Sequence, residues 1–315
     1  MARLGGRPLL LLSARDLLLA AAEEDVLLVA LVAPAAPAIA GFVRAARDAG
    51  APLLLVRPSG AAEEKGPEEE RDDRAFVETA LKALHELRFE LPVALLKEPP
   101  RAGCAVSEHE RVRREMEAGF TGVALAAGGA AADARDAALA ATAVCQYELG
   151  LEVVALGGSA GAGHELARQL RSRGAAPSAV RITGHDAGPA QAEPGVAGGL
   201  EPVEPLAALP GVAISSADES SLLGLRQLVA SGPFLRALLR AAPADLLATL
   251  QAWADDKGAS LEQAAARHQR LLKDLPAPQQ ERLEALCCFG AADLYARAGV
   301  RGTGPRLAAR IGQPR

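Results

Sequence analysis

The stretch VLLVALVAPAAPAIAGFVRAARDAGAPLLLV, residues 26–56, sets the architecture. It opens on the unbroken apolar run Val26–Val32. A strand covered on both faces reads this way, whereas a strand with one wet face alternates apolar and polar positions. Ala36–Ala49 carries a helical pattern and is followed by Gly50, a natural residue just past a helix end because glycine takes the left-handed conformation without a Cβ penalty. Pro52–Val56 is a second apolar run. Strand, helix and strand in this order form one β-α-β unit, whose two strands lie parallel.

Outward from that unit the alternation continues in both directions. Upstream, Ser13 is placed to cap a helix running to Glu24, since its hydroxyl accepts a bond from a free first-turn amide. Downstream, a loop at Arg57–Arg71 leads to a helix over about Asp73–Leu87 and a strand at Pro92–Leu96. A helix at Ser107–Ala118, closed by Gly119, precedes a strand at Thr121–Ala126. A helix at Ala131–Leu149, stopped by Gly150, precedes a strand at Glu152–Leu156. A helix around His164–Arg173 and a strand at Ala179–Thr183 follow, then a Gly/Ala/Pro-rich loop at Gly184–Gly199 and a short strand at Gly211–Ser215. Asp218–Ser231 reads as a helix.

From Phe234 the patterns are helical throughout: Leu235–Ala241, Ala244–Asp256, Leu261–Leu272 and Gln279–Ala298. The Gly-, Arg- and Pro-rich tail Gly299–Arg315 reads as loose. Seven strands alternating with helices argue for parallel units joined by right-handed crossovers. The fold class expected is α/β, a TIM (β/α)8-type barrel with a helical C-terminal extension. The barrel takes residues 1–232, the helical region 233–298 and the tail 299–315.

Composition excludes several classes. The chain is 315 residues long, suited to one barrel with its outer helices, and half of it is hydrophobic, as in globular proteins. Aromatics make up only 3%, so Leu, Val and Ala build the core. A formal net charge of −5, with no long basic run and few rings to stack on bases, argues against nucleic acid as a partner. The acidic cluster Glu63–Asp73 reads as a solvated loop rather than a cation site. Charges interrupt every apolar stretch before about 18 residues, so no membrane partner is expected, and the cytoplasm is the expected location. Cys104, Cys145, Cys287 and Cys288 match no zinc-knuckle spacing and read as free thiols. His85, His109, His164 and His268 read as surface or interface residues on helices, and Trp253 and Tyr295 as packing anchors of the C-terminal third.

Several of these stretches resemble the class II fructose-bisphosphate aldolase family over about residues 8–232, with a weaker echo at Glu281–Ala292. The run Pro8-Leu-Leu-Leu-Leu-Ser-Ala-Arg-Asp-Leu-Leu18 is similar to the family's leading helix. Leu91-Pro-Val-Ala-Leu95 resembles the strand that delivers its catalytic motif, and Glu117-Ala-Gly-Phe-Thr-Gly-Val123 its fourth-strand signature. The resemblance implies a divalent metal, usually zinc, held by three histidines with supporting carboxylates; the metal polarises a ketose carbonyl while an aspartate moves protons. Glycine-rich loops would bind the substrate phosphates through backbone amides.

The residues that this chemistry needs are replaced. Where the family has H-x-D-H, this chain has Leu96-Lys97-Glu98-Pro99, so Glu98 falls on the catalytic acid and Pro99 on a metal ligand. Ala155, or Val154 if one gap is moved, stands for the metal-associated glutamate. In Ile182-Thr-Gly-His-Asp-Ala-Gly188, Ala187 stands for a ligand histidine, with His185 two residues earlier. Ser215 stands for the last histidine, and Asp218 puts a carboxylate in the phosphate loop. No counterpart of the family's eighth strand is legible after Gly232.

Two readings stay open. In the first, the barrel is noncatalytic and serves as a binding, regulatory or partner subunit; no metal residues and no cofactor are expected. In the second, an aldehyde-lyase or isomerase acts on a sugar phosphate through a rebuilt site at Lys97, Glu98 and His185, with zinc if the family mechanism survives. Lysine beside an acid can form a Schiff base or shuttle a proton, although a solvated rim ion pair is the simpler reading of Lys97 and Glu98. Gly157, Gly158 and Ser159, before a helix, and Ser215 and Ser216 are the candidate ligand residues for a sugar phosphate or other small anion. By family analogy the chain pairs with itself or with an aldolase-like partner.

Overall fold

The computed structural model describes residues 2–4, 7–9, 11–59, 67–99, 107–127, 134–155, 160–175, 179–182, 212–216 and 226–312. A short antiparallel pair, β1 (Ala2–Leu4) and β2 (Arg7–Leu9), precedes α1 (Ala14–Glu23). Then come β3 (Leu28–Val32), α2 (Ala36–Ala49), β4 (Leu53–Arg57), α3 (Pro67–Glu86), β5 (Val93–Lys97), α4 (Glu108–Ala118), β6 (Gly122–Ala127), α5 (Ala134–Gln146), β7 (Gly150–Ala155), α6 (Ala160–Ser172) and β8 (Ala179–Ile182). β9 (Val212–Ser216) and β10 (Arg226–Ala230) complete the strands. Six helices follow: α7 (Gly232–Ala241), α8 (Ala244–Lys257), α9 (Leu261–Arg267), α10 (Gln269–Lys273), α11 (Ala277–Arg297) and α12 (Gly304–Ile311). Strands β3–β10 close into a barrel in the order β10-β3-β4-β5-β6-β7-β8-β9. The fold is the expected α/β barrel with C-terminal helices.

Alternation along the strands sorts the core into an inside and an outside. Leu28, Ala30, Val32, Leu54, Val56, Ala94, Leu96 and Val229 pack with Leu17 and Leu18 of α1, and they form the barrel interior. Their neighbours Val29, Leu31, Leu53, Leu55, Val93 and Leu95 pack outward on helices such as α2, with Phe42 and Val43. Strands buried on both sides therefore need the continuous apolar text seen at residues 26–56. α1 closes the N-terminal end of the barrel. Its cap Ser13 accepts from the Arg15 amide at 3.1 Å and donates to the Glu148 carbonyl at 2.6 Å. The Ala14 amide bonds the Thr121 carbonyl. Cβ atoms on Gly122 and Gly150 would lie 2.6 and 2.5 Å from the Ala14 Cβ, so glycine at both strand starts lets α1 approach this closely.

Three sequence expectations are corrected. Arg226–Ala230, expected to lie in a helix over Asp218–Ser231, is the eighth strand, parallel to β3. The Leu225, Leu228 and Val229 spacing imitates a helical stripe, but closing the barrel between β9 and β3 decides the conformation. The strands are also not all parallel: β9 runs antiparallel to both β8 and β10. Only residues 217–225 separate β9 from β10. That is shorter than the dozen or so residues a parallel crossover needs. Finally, the tail is not loose over 304–311, where α12 packs against α1 with Leu307 fully buried. The Gly302 and Gly304 amides bond the carbonyls of Ala49 and Gly50.

The C-terminal helices belong to the outer layer. α11 lies along α2 and α7, and Leu283, Cys287, Ala291, Leu294 and Tyr295 turn inward. At Gly41 a Cβ would meet the Glu284 carbonyl at 2.5 Å, so α2 and α11 touch through backbone. Tyr295 is fully buried and Trp253 packs against the same core, edge-on to His268 at 5.5 Å. Both serve as the expected packing anchors. Cys145, Cys287 and Cys288 are free, and burial raises the Cys287 thiol well above its usual range. Among the described residues no helix is long and apolar enough to cross a membrane.

Candidate functional site

The C-terminal ends of the barrel strands are where a barrel of this kind builds its site. At that end β3, β4 and β5 turn Val32, Val56 and Leu96 into the interior, at 5%, 1% and 2% exposure. On β6 and β7 the outward residues Val123, Leu125, Ala127, Leu151 and Val153 pack on the surrounding helices. Alternation therefore directs Ala126 and Val154 inward. Among the described side chains, the last inward position of each of these five strands is aliphatic, and Glu98, half-buried, follows Leu96 at the next inward position.

Charge at the same level lies on the other side of the sheet. Arg57 and Lys97 are register partners on β4 and β5, each two residues beyond an outward-facing leucine, Leu55 and Leu95. Both are buried. The Lys97 Nζ donates to Asp73 Oδ2 of α3 at 2.7 Å and lies 3.6 Å from Glu115 of α4. The other Asp73 oxygen is paired with Arg57. Arg111 continues the network, bonding Glu115 at 2.6 Å, Glu108 at 2.5 Å and the Ala124 carbonyl at 2.8 Å. Burial alone would lower the Arg111 guanidinium; Glu115 and Glu108 outweigh it and hold the group above its ordinary range. Among the described residues the network sets Arg57, Lys97 and Arg111 against Asp73, Glu108 and Glu115.

This corrects two expectations. Lys97 is not on a solvated rim: it is 3% exposed and points into the helical layer. The acidic cluster is not all solvated loop either, because α3 starts at Pro67 and Asp73 is 3% exposed within the ion network. Physically, two adjacent outward cations, Arg57 and Lys97, need a buried counter-charge, and Asp73 bridges them. That signal was present in the sequence. Arg57 and Lys97 each continue the outward parity of an apolar strand, which placed both behind the sheet.

The remaining predicted residues are dispersed or lie outside the described residues. Glu98 is half-buried just past β5; its amide bonds the Arg57 carbonyl at 2.9 Å, and its carbonyl accepts from the buried Ser59 hydroxyl. Pro99, on a ligand position of the resembled motif, is buried beside it. Ala155 ends β7, in register with Ala127 and Ile182. Ser215 and Ser216 lie in β9, opposite Gln227 and Arg226 of β10. His185, Ala187, Asp218, Gly157, Gly158 and Ser159 lie outside the described residues, as do the side chains of Ser215, Ser216 and Ala155. Among the described residues no group of three or more His, Cys, Asp or Glu side chains is placed to hold a metal ion. The described strand-end side chains Val56, Leu96 and Val154 carry none of the nitrogen, sulfur or carboxylate donors that a zinc site requires.

The fold matches solved aldolase structures. The YdjI aldolase from Escherichia coli K12 superposes with a TM-score of 0.54 over 93% of this chain and 99% of that one, at 13% identity. A protein from Coccidioides immitis assigned as a fructose-1,6-bisphosphate aldolase gives a TM-score of 0.55 over 93% of this chain and 98% of that one, also at 13% identity. No protein-family profile and no curated protein matches the sequence. The likeness establishes an aldolase-like barrel.

Proposed function

We propose that this aldolase-like barrel is a noncatalytic member of the class II fructose-bisphosphate aldolase type, acting as a binding, regulatory or partner subunit. One observation carries the reading. Five neighbouring strands turn Val32, Val56, Leu96, Ala126 and Val154 into the mouth, while Arg57 and Lys97 are committed to a buried ion network behind the sheet. Aldol cleavage needs an electrophile for the carbonyl and a group to move the proton; the aliphatic side chains supply neither, and Glu98, just past Leu96 and Lys97, offers a carboxylate for the proton but no electrophile. The alternative, a lyase or isomerase built on Lys97, Glu98 and His185, requires Lys97 to leave Asp73 and cross the sheet. A small anion at Gly157–Ser159 and Ser215–Ser216 remains compatible with either reading.

The test is metal content of the purified protein together with a retro-aldol assay on fructose 1,6-bisphosphate, run with and without added zinc. We expect substoichiometric zinc and no zinc-stimulated cleavage. A stoichiometric zinc ion with turnover overturns the proposal. Turnover without metal that disappears in Lys97→Ala, in protein still folded by circular dichroism, favours the rebuilt site instead.

A further inference from the structure

On the outer face of the C-terminal helices, α7 and α11 enclose a groove of about 320 Å³. Its floor is apolar: Pro233, Ala237, Leu286 and Gly290. The groove exists because Gly290 lets the helices come close; a Cβ there would lie 3.2 Å from Pro233. Phe289 stands on one rim with 73% of its surface exposed. Arg236 and Arg240, one turn apart on α7, stand on the other, both exposed and neither ion-paired among the described residues. Asp293 in the lining is paired with Arg297 at 3.9 Å, so it does not neutralise that rim.

Two like charges one turn apart repel and slightly destabilise their own helix, and an exposed phenylalanine gains nothing in water. Each feature becomes favourable when an anionic, apolar surface covers the groove. The chain as a whole carries a net charge of −5, which makes this cationic rim locally distinct. We infer that the α7–α11 groove docks an acidic amphipathic helix of a partner protein, with apolar side chains in the groove beside Phe289 and carboxylates on Arg236 and Arg240. Helices commonly bind in this way, apolar anchors spaced i and i+4 filling a groove between two others. The ten residues of α7 span about 15 Å, enough for about ten residues of partner helix. A second copy of this chain is a poorer occupant. An isologous contact would bring two copies of this cationic patch, four of these arginines in all, into one interface, and like charges gathered there select against it. The inference goes beyond the reading of the barrel mouth and holds whether or not the mouth is catalytic.

The probe is a displayed library of 16-residue peptides patterned as amphipathic helices, with polar positions free to be acidic, basic or neutral, panned against the full chain. We expect enrichment of Glu and Asp flanking Leu or Phe anchors. Fluorescence anisotropy of a labelled enriched peptide should then show affinity falling about tenfold or more in Arg236→Glu/Arg240→Glu, several-fold in Phe289→Ala, and with rising salt. Arg236→Lys/Arg240→Lys should keep most of the binding. Phe289→Ala and the salt dependence decide the matter should the charge reversal fail to fold. Enrichment without acidic bias overturns the inference, as do no enrichment, affinity unchanged by the variants, or wild-type self-association abolished by Phe289→Ala. The panning readout is independent of the retro-aldol assay, so either proposal can fail without the other.

Discussion

Lys97→Met separates a structural lysine from a catalytic one. Methionine keeps the unbranched stem and removes the charge. Among the described residues the network then holds two bases, Arg57 and Arg111, against three acids, Asp73, Glu108 and Glu115. Removing one partner from a buried pair costs about 3–5 kcal/mol, because the charge left behind stays desolvated. Arg57 still holds Asp73 and Arg111 still holds Glu115, so the lower end applies, about 3 kcal/mol. With an unfolding entropy of about 2.1 cal/mol/K per residue, a chain of 315 residues shifts its Tm by about 1.5 °C per kcal/mol, giving a fall of roughly 4–5 °C. Adding Glu115→Gln restores charge balance. The double variant should therefore be more stable than the sum of the single effects predicts, by at least about 1 kcal/mol. Urea and thermal unfolding of the four proteins measure both numbers. A Lys97→Met protein within about 0.5 kcal/mol of wild type would place the ammonium in solvent, and additive effects would dissolve the network. Either result refutes the reasoning.

Other perturbations test the closure of the barrel and its surface. Gly150→Ala puts a methyl 2.5 Å from the Ala14 Cβ and 2.8 Å from the Arg15 amide nitrogen; overpacking of this kind costs about 1–3 kcal/mol, and urea unfolding should show it, with proteolysis entering near α1. Leu307→Ala empties a fully buried position beneath α1 and should cost about 2–5 kcal/mol; a neutral outcome in the same assay would mean that α12 does not dock. Glu110 is held down to about 2, from an ordinary 4.5, by hydrogen bonds first from Arg113 and then from Arg114. A lowered folded-state value means that its contribution is full above pH 4.5 and disappears as pH falls towards 2. Glu110→Gln should therefore flatten the acid limb of a Tm–pH profile in that window and leave it parallel to wild type above it, with high salt shrinking the difference.

Where the sequence was legible, local chemistry and global packing agreed. Val26–Val32 and Pro52–Val56 are apolar without interruption because helices and barrel interior cover both faces, and Gly50 ends its helix at φ 62° as its left-handed position requires. Ser13 caps the helix that follows it. Legibility failed where a tertiary demand chose between two readings of the same residues. Residues 225–229 have helical spacing, and only the gap between β9 and β3 makes a strand of 226–230. The tail's glycines and arginines suggest looseness, yet Leu307 finds the pocket beneath α1 and Arg306 and Arg310 pair with Glu24 and Glu23. At the candidate site, Lys97 and Glu98 suggest a pair because they are adjacent. Adjacent strand residues point to opposite faces, so adjacency argues against a shared site.

The segment that most resembles the aldolase family shows how a barrel of this fold keeps its scaffold independently of its chemistry. In Glu117–Val123, Gly119 ends α4 at φ 102°, Phe120 stacks on Phe76 at 5.8 Å, and Thr121 bonds the Leu95 amide through its hydroxyl. The Thr121 carbonyl receives the amides of both Ala14 and Gly150, and Gly122 yields to the Ala14 methyl. Each of these contacts fastens α1 and the helical layer to the N-terminal end of the barrel. Catalytic groups of such barrels stand at the opposite end. Stability therefore holds the signature in place whatever happens at the mouth, and aliphatic residues at the strand ends cost the fold nothing, since Val56, Leu96 and Val154 bury well. An aldolase-like barrel can lose its chemistry without any contact in its most recognisable segment changing, because the residues that register the loss stand at and beyond the C-terminal ends of the strands.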